Sequence, residues 1–175
     1  MLFNEQLANK IIDSINIFFM TTEYLNLYNN LIRLTTNKSL YNGVKNTQDT
    51  FSDRLSLFLF HFAFILKEFK NKKNEKSLQE LYDFNFRQLE LSIREIGYGD
   101  QSINKKMKDY INVFHGIISE IHFWDDMKFD KKIECLSTFL QNFQNTEYLV
   151  DYFDNFSTDL KKNNLNSYLK SVNNR

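Results

Sequence analysis

The sequence predicts an all-α protein: a single compact bundle of about seven or eight helices around a central apolar helix near residues 51–70. Three observations carry that expectation. Proline is absent and glycine occurs only four times in 175 residues, so the chain has few tight turns and long elements. Apolar residues recur at spacings of three and four in one segment after another, which is the period of a helix face. Aromatic residues make up 16% of the chain, most of them Phe, and such side chains bury large areas in a shared core. At this length one domain spanning 1–175 is expected, with no internal repeat.

The elements follow in order. A first helix, about 4–19, carries Leu7, Ile11, Ile15 and Phe18 on one face. A second, about 21–37, carries Tyr24, Leu27, Tyr28, Leu31 and Leu34. Residues 37–50, with Gly43 and several Asn and Thr, form the longest expected loop. The third helix, about 51–70, is apolar nearly all round, and such a helix is covered on most sides. The fourth, about 77–96, places Leu78, Tyr82, Phe86, Leu89, Ile93 and Ile96 on one stripe, with Ser77 as its cap. Gly97 then falls where a left-handed stop is wanted, and Asp100 or Ser102 where the next helix needs an N-cap. The fifth helix, about 101–122, keeps its rhythm from Ile103 to Ile121. After a break at Trp124-Asp125-Asp126, helices are expected near 129–143, 146–156 and 158–170, the last thin in apolar residues. The stripe Phe129, Ile133, Leu136, Leu140, Phe143 defines the first of these.

Composition narrows the function. Lys and Arg balance Asp and Glu at 22 each, which is not the excess of a specific nucleic-acid binder. One stretch is locally basic: Lys67, Lys70, Lys72, Lys73 and Lys76. It reads first as a solvated helix end; its functional reading is contact with ribosomal RNA or an anionic membrane surface. Cys135 is the single cysteine and sits in a helical apolar pattern, where a buried inert thiol is expected. No signal-peptide or transit-peptide pattern opens the chain, and the apolar run Leu55 to Leu66 is too short to span a bilayer. A cytoplasmic location, or one peripheral to the inner membrane, is therefore expected.

Candidate chemistry is sparse, and neither a metal nor a cofactor is expected. His61 lies inside the most apolar helix; without a second ligand at metal spacing it reads as a hydrogen-bonded core histidine. His115 falls on a polar face and His122 near a helix end, where a cation suits the dipole. Asp125-Asp126, with Asp151 and Asp154 as a partial second set, is the one arrangement that could hold a divalent cation against a diphosphate. Gly97-Tyr98-Gly99 sits between helices and is too short for a phosphate loop.

Two blocks of residues resemble the ubiquinol–cytochrome c chaperone family, over about residues 24–121. The first runs Asp49-Thr50-Phe51-Ser52-Asp53-Arg54-Leu55 and on to Phe60-His61. Asp49, Thr50, Arg54 and His61 fit the family pattern, while Asp53 replaces a glycine, Phe60 a leucine, and Gln48 the usual preceding proline. Leu40-Tyr41 fits an upstream apolar-Tyr pair. The second block is Ile93-Arg94-Glu95-Ile96-Gly97-Tyr98-Gly99-Asp100, followed by Lys105, Lys106 and Lys108 and then Phe114-His115-Gly116. Two family aspartates appear here as Gln88 and Glu90.

The resemblance implies a non-catalytic chaperone for newly synthesised cytochrome b in bc1 complex (ubiquinol–cytochrome c reductase) assembly. It also implies a protein client, leaves open whether a partner subunit takes part, and points to Asp49, Thr50, Arg54, His61, Arg94, Glu95, Gly97, Gly99, Asp100, Lys105, Phe114 and Gly116 as motif residues. Arg54, Arg94, Glu95 and Asp100 are expected to form a buried or half-buried network between helices three, four and five. The Phe- and Leu-rich third helix is the candidate client surface. The alternative is a helical carrier of a lipid, quinone or haem, motivated by the aromatic core and His61.

Overall fold

A computed structural model of the chain describes residues 21–42, 50–97 and 99–172. The helix expected over 4–19, and most of the long loop, lie outside the described residues. What is described is all-α. It consists of residues 21–35 (α1), Phe51–Phe69 (α2), Glu75–Glu95 (α3), Asp100–Ile121 (α4), Phe129–Phe139 (α5), Thr146–Lys161 (α6) and Leu165–Val172 (α7). Short 3-10 turns at Lys38–Tyr41 and Trp124–Asp126 link α1 to the loop and α4 to α5.

Helix α2 starts where its side chains can satisfy its free amides. Thr50 is the N-cap, and its Oγ1 accepts from the Asp53 amide at 3.2 Å while the Asp53 carboxylate accepts from the Thr50 amide at 3.4 Å. Asp53 is buried, and its other oxygen accepts from Asn142 Nδ2 at 2.8 Å. The acid that departs from the family's glycine thus caps the central helix and ties it to the segment after α5.

From Leu55 to Ile65 every residue of α2 but Ser56 is buried. The helix packs on α4 and α6, as an element apolar on all sides must. Phe62 stacks on Phe114 of α4 at 5.3 Å, and Phe64 stacks on Phe153 of α6 at 5.1 Å. Trp124 meets Phe64 edge-on at 5.2 Å. On a third side α1 brings Tyr28 against Phe58, and its hydroxyl lies 3.0 Å from Ser92 of α3. Helix α7 closes the far end through Tyr168 against Phe69.

Several boundaries differ from the sequence reading. Helix α3 begins at Glu75 after Asn74, so Ser77 lies within the first turns and does not cap it. Helix α4 has Gly99 as its N-cap; Asp100 is its first-turn acid and Ser102 donates to the Gly99 carbonyl. Helix α5 stops at Phe139, and Phe129 at the head of its expected stripe is 44% exposed. Helix α6 continues through residue 157, where two helices were expected. Ser157 is buried and donates to Glu68 at 2.8 Å, so the residue at the expected break binds across to α2. Helix α7 is short but buries Leu165, Leu169 and Val172.

Gly97 has φ +97°, the left-handed stop expected at the α3–α4 corner. A Cβ there would meet nothing within 4 Å, so the requirement is conformational and not steric. Gly97→Ala should therefore destabilise the protein by about 1 kcal/mol. Leu57→Ala, at a site with no exposure, should cost about 2–5 kcal/mol. Urea unfolding followed by circular dichroism checks both, and the glycine change should leave the fold intact.

Candidate functional site

The motif residues separate into a buried set and a surface set. In the first block Thr50 caps α2, His61 is wholly buried, and Arg54 stands exposed in the first turn of α2. Asp49 lies outside the described residues. In the second block Phe114 is wholly buried, and Gly116 lets α5 approach, because a Cβ would meet the Phe139 ring at 3.3 Å. Arg94, Glu95, Gly97, Gly99, Asp100 and Lys105 are all exposed.

The four charged residues expected in a buried or half-buried network, Arg54, Arg94, Glu95 and Asp100, are all exposed. Arg94 pairs across its own helix with Glu90 at 2.7 Å, and reaches over the corner to Asp100. The hydrogen bonds it donates to these two carboxylates hold the Arg94 guanidinium above its already high range. All three side chains are solvent-facing, with Arg94 40% and Asp100 84% exposed. The corner is closed by a surface clamp, since Arg94 lies on the outer face of the last turn of α3 while Ile93 beside it is buried.

That early end also exposes Ile96. It is 59% exposed, where the apolar stripe of α3 placed it in the core. Leu91, one turn earlier, is 45% exposed. These two apolar side chains beside Glu90, Arg94, Glu95 and Asp100 make the corner a mixed apolar and charged surface. Sequence reasoning passed over Leu91, although its place off the Leu89–Ile93–Ile96 stripe is the signal that marks it.

The apolar α2, expected as a client surface, is instead the core; only Phe51 in its first turn is a strongly exposed large hydrophobic. His61 is held at both ring nitrogens. The Leu57 carbonyl, 2.7 Å from Nδ1, can only accept, so Nδ1 carries the proton. Nε2 then accepts from the Tyr152 hydroxyl at 2.7 Å. Burial pushes the His61 pKa down to about 4 and that of Tyr152 up to about 12. This imidazole is neutral, fixed in one tautomer, and has no nitrogen lone pair left for haem iron or a metal ion.

The acidic residues around the Trp124 corner are engaged with cations. Asp125 binds Lys67 at 2.8 Å and Lys161 at 2.7 Å, and those lysines hold its pKa below the usual carboxylate range despite the opposing effect of burial. Asp154 accepts from Trp124 Nε1 and from Lys132, each at 2.7 Å. These carboxylates tie α2, α5 and α6 to the turn, which leaves little for the divalent-cation reading; among the described residues no cluster has metal-binding geometry. Cys135 is buried, and burial pushes its thiol up to about 12, as an inert thiol requires. His115 is exposed, with Nε2 3.2 Å from the Tyr82 hydroxyl.

Among the described residues, two sizeable clefts stand out on the surface. One of about 690 Å³ lies between α1, α6 and α7, with Asn30, Tyr148, Tyr152, Phe156 and Tyr168 in its wall. The other, about 770 Å³, lies between the end of α2, the start of α3 and the end of α4. No helix among the described residues is long and apolar enough to cross a membrane.

Residues 45–127 match the family model described as Ubiquinol-cytochrome C chaperone, a little under half of the chain. The matched stretch runs from before the α2 cap through α3 and α4 to just past the Trp124 turn. It bears out the resemblance carried by the two sequence blocks. Its limits differ from those read in the sequence: it begins after Leu40-Tyr41 and ends beyond residue 121. No curated protein and no solved structure matches the chain.

The burial of neutral His61 sets a pH dependence with a definite sign. Its folded pKa lies below the unfolded value of about 6.5, so the unfolded chain binds the proton first. Its contribution is complete above that unfolded value and is lost as pH falls towards about 4. The urea midpoint should therefore drop over that window. In His61→Phe the drop should be shallower, measured on the same buffers; equal slopes would mean that His61 does not titrate on unfolding.

Proposed function

We propose that this protein is a non-catalytic assembly chaperone that binds newly synthesised cytochrome b and passes it towards the bc1 complex. The observation that carries the proposal is the family match over residues 45–127, which falls on α2, α3 and α4. Nothing catalytic is needed for this role: the protein shields apolar parts of the client until assembly can proceed. We place it in the cytoplasm, peripheral to the inner membrane, where a client emerging into the bilayer can be met from the aqueous side.

The α3–α4 corner is the surface on which we place the client. Its motif residues face solvent, so their side chains add little to the core that α2 organises. Ile96 and Leu91 offer apolar area, while Arg94, Glu95, Asp100 and Lys105 offer charge of both signs. A membrane protein's helix ends and short loops carry that same mixture of apolar and charged groups. The clamp between Arg94 and Asp100 presents a fixed guanidinium fork, and Arg and exposed apolar residues are the usual anchors of protein contacts.

Deleting the gene should selectively lower the cytochrome b signal in reduced-minus-oxidised spectra of the membranes, with other respiratory haems retained. Arg94→Glu combined with Ile96→Asp should reproduce at least half of that loss while leaving the purified protein's unfolding midpoint unchanged, because both residues are exposed. A normal cytochrome b level in the deletion strain would end the chaperone reading. A normal level in the double variant alone would move the client away from this corner.

A further inference from the structure

The second cleft has a makeup unlike the rest of the surface. Its floor is aliphatic, formed by Leu66 at the end of α2, Leu78 in α3 and Ile118 in α4, with Tyr82 beside them. Its rim carries Lys70, Lys72 and His122, and Glu75 is the one carboxylate in the lining. Lys73 and Lys76, outside the cleft lining but close in the chain, are both exposed, with Lys76 91% exposed and loosely paired to Glu80 at 3.8 Å. Phe123, adjacent to His122 and in ring contact with it at 4.7 Å, is 62% exposed. The whole chain has no net charge, so this corner is a local excess of cations.

The basic run read in the sequence is also sorted by the structure. Lys67 is only 11% exposed and is neutralised by Glu68 at 2.6 Å and Asp125 at 2.8 Å. Glu68, the other acid of the run, is itself covered and bonded to Ser157. Facing solvent are Lys70, Lys72, Lys73 and Lys76, with Glu75 among them, Glu80 loosely paired to Lys76, and Asp125 and Asp126 beyond Phe123. Exposed cations around an aliphatic floor, next to a solvent-exposed phenyl ring, are the groups that an interfacial contact with acidic lipid uses. Lysines attract the headgroup phosphates and the apolar parts enter the acyl boundary.

We propose that the α2–α3 corner, with its lysine-rimmed cleft and Phe123, is a docking surface for an anionic lipid bilayer. This goes beyond the assembly role and does not rest on it. An acidic peptide would satisfy the lysines but would not call for a protruding phenyl ring beside an aliphatic floor. A single-stranded nucleic acid would use a row of aromatic faces that this rim does not offer. Docked in this way, the protein is held at the membrane by a surface made of the end of α2, the start of α3 and the end of α4, leaving the Gly97 corner at the opposite end of α3 free.

The test is co-sedimentation of the full chain with vesicles of phosphatidylcholine, with and without phosphatidylglycerol. Binding to the phosphatidylglycerol vesicles alone is expected, weakened by high salt. Lys70→Gln, Lys72→Gln and Lys73→Gln together should weaken it roughly a hundredfold, at about fivefold per lysine. Phe123→Ser should weaken the binding that survives high salt. Lys131→Gln with Lys162→Gln, exposed on α5 and just after α6, should leave it unchanged. An equal loss from that control pair would show non-specific attraction and overturn the proposal. So would binding to polyglutamate without binding to vesicles, or full competition by millimolar inorganic phosphate.

Discussion

Twelve of the nineteen residues of α2 are buried, and they lie on every side of the helix. A helix of that kind has no face to give to water, so the rest of the chain must be arranged around it. Helix α4 covers one side through Phe62 and Phe114, α6 another through Phe64 and Phe153, and α1 a third through Phe58 and Tyr28. Ring packing at these contacts, stacked for α4 and α6 and edge-on for α1, makes each neighbour's position specific, because aromatic pairs favour particular geometries as well as burial. Polar groups enter this core only where they are satisfied. His61 is accepted because Leu57 and Tyr152 occupy both of its nitrogens, and Asp53 because Thr50 and Asn142 occupy its oxygens.

Much of this architecture was legible in the sequence because it is written in periodicity. The three-four rhythm of α4 and the continuous apolar run of α2 place both helices within a residue or two of their observed ends. Gly97 announced its own conformation, since in a chain so poor in glycine a left-handed stop has few other purposes. What could not be read was the partner of a polar side chain. Ser157 looks like a break until Glu68 is seen beside it, and Ser77 looks like a cap until the helix is seen to begin earlier. Arg54, Arg94, Glu95 and Asp100 carry the charges of an internal network, but charge does not report depth. Arg94 shares the outer face of α3 with Glu90, one residue on from the buried Ile93.

The apolar content of α2 illustrates the same limit from the other direction. A run of Phe and Leu is equally consistent with a sticky surface and with a central core, and only the number of elements available to cover it decides between them. The described chain supplies enough, and the most exposed large apolar side chains lie elsewhere: Phe123 at the end of α4, then Ile96 and Leu91 at the α3–α4 corner. None of the three belongs to a residue run that hydropathy alone would select.

The family match ends at residue 127, yet α2 depends on residues well beyond it. Phe153, Tyr152 and Phe156 surround His61, and Phe139 and Phe153 both meet Phe60. Without α5 and α6 the Phe60–Phe64 side of α2 would face water, and Asp53 would lose Asn142. The matched segment therefore carries the motif without carrying all of its own support. This division explains why the motif residues behave so differently from one another. Thr50, His61, Phe114 and Gly116 secure contacts within the bundle, some of them with helices outside the matched segment. Arg94, Glu95, Asp100 and Lys105 lie on the outer corner, where solvent screens their pairs and the gain in stability is small. Residues of the first kind hold the bundle together, and those of the second kind shape its outer corner, where Arg94 is paired to Glu90 and Asp100.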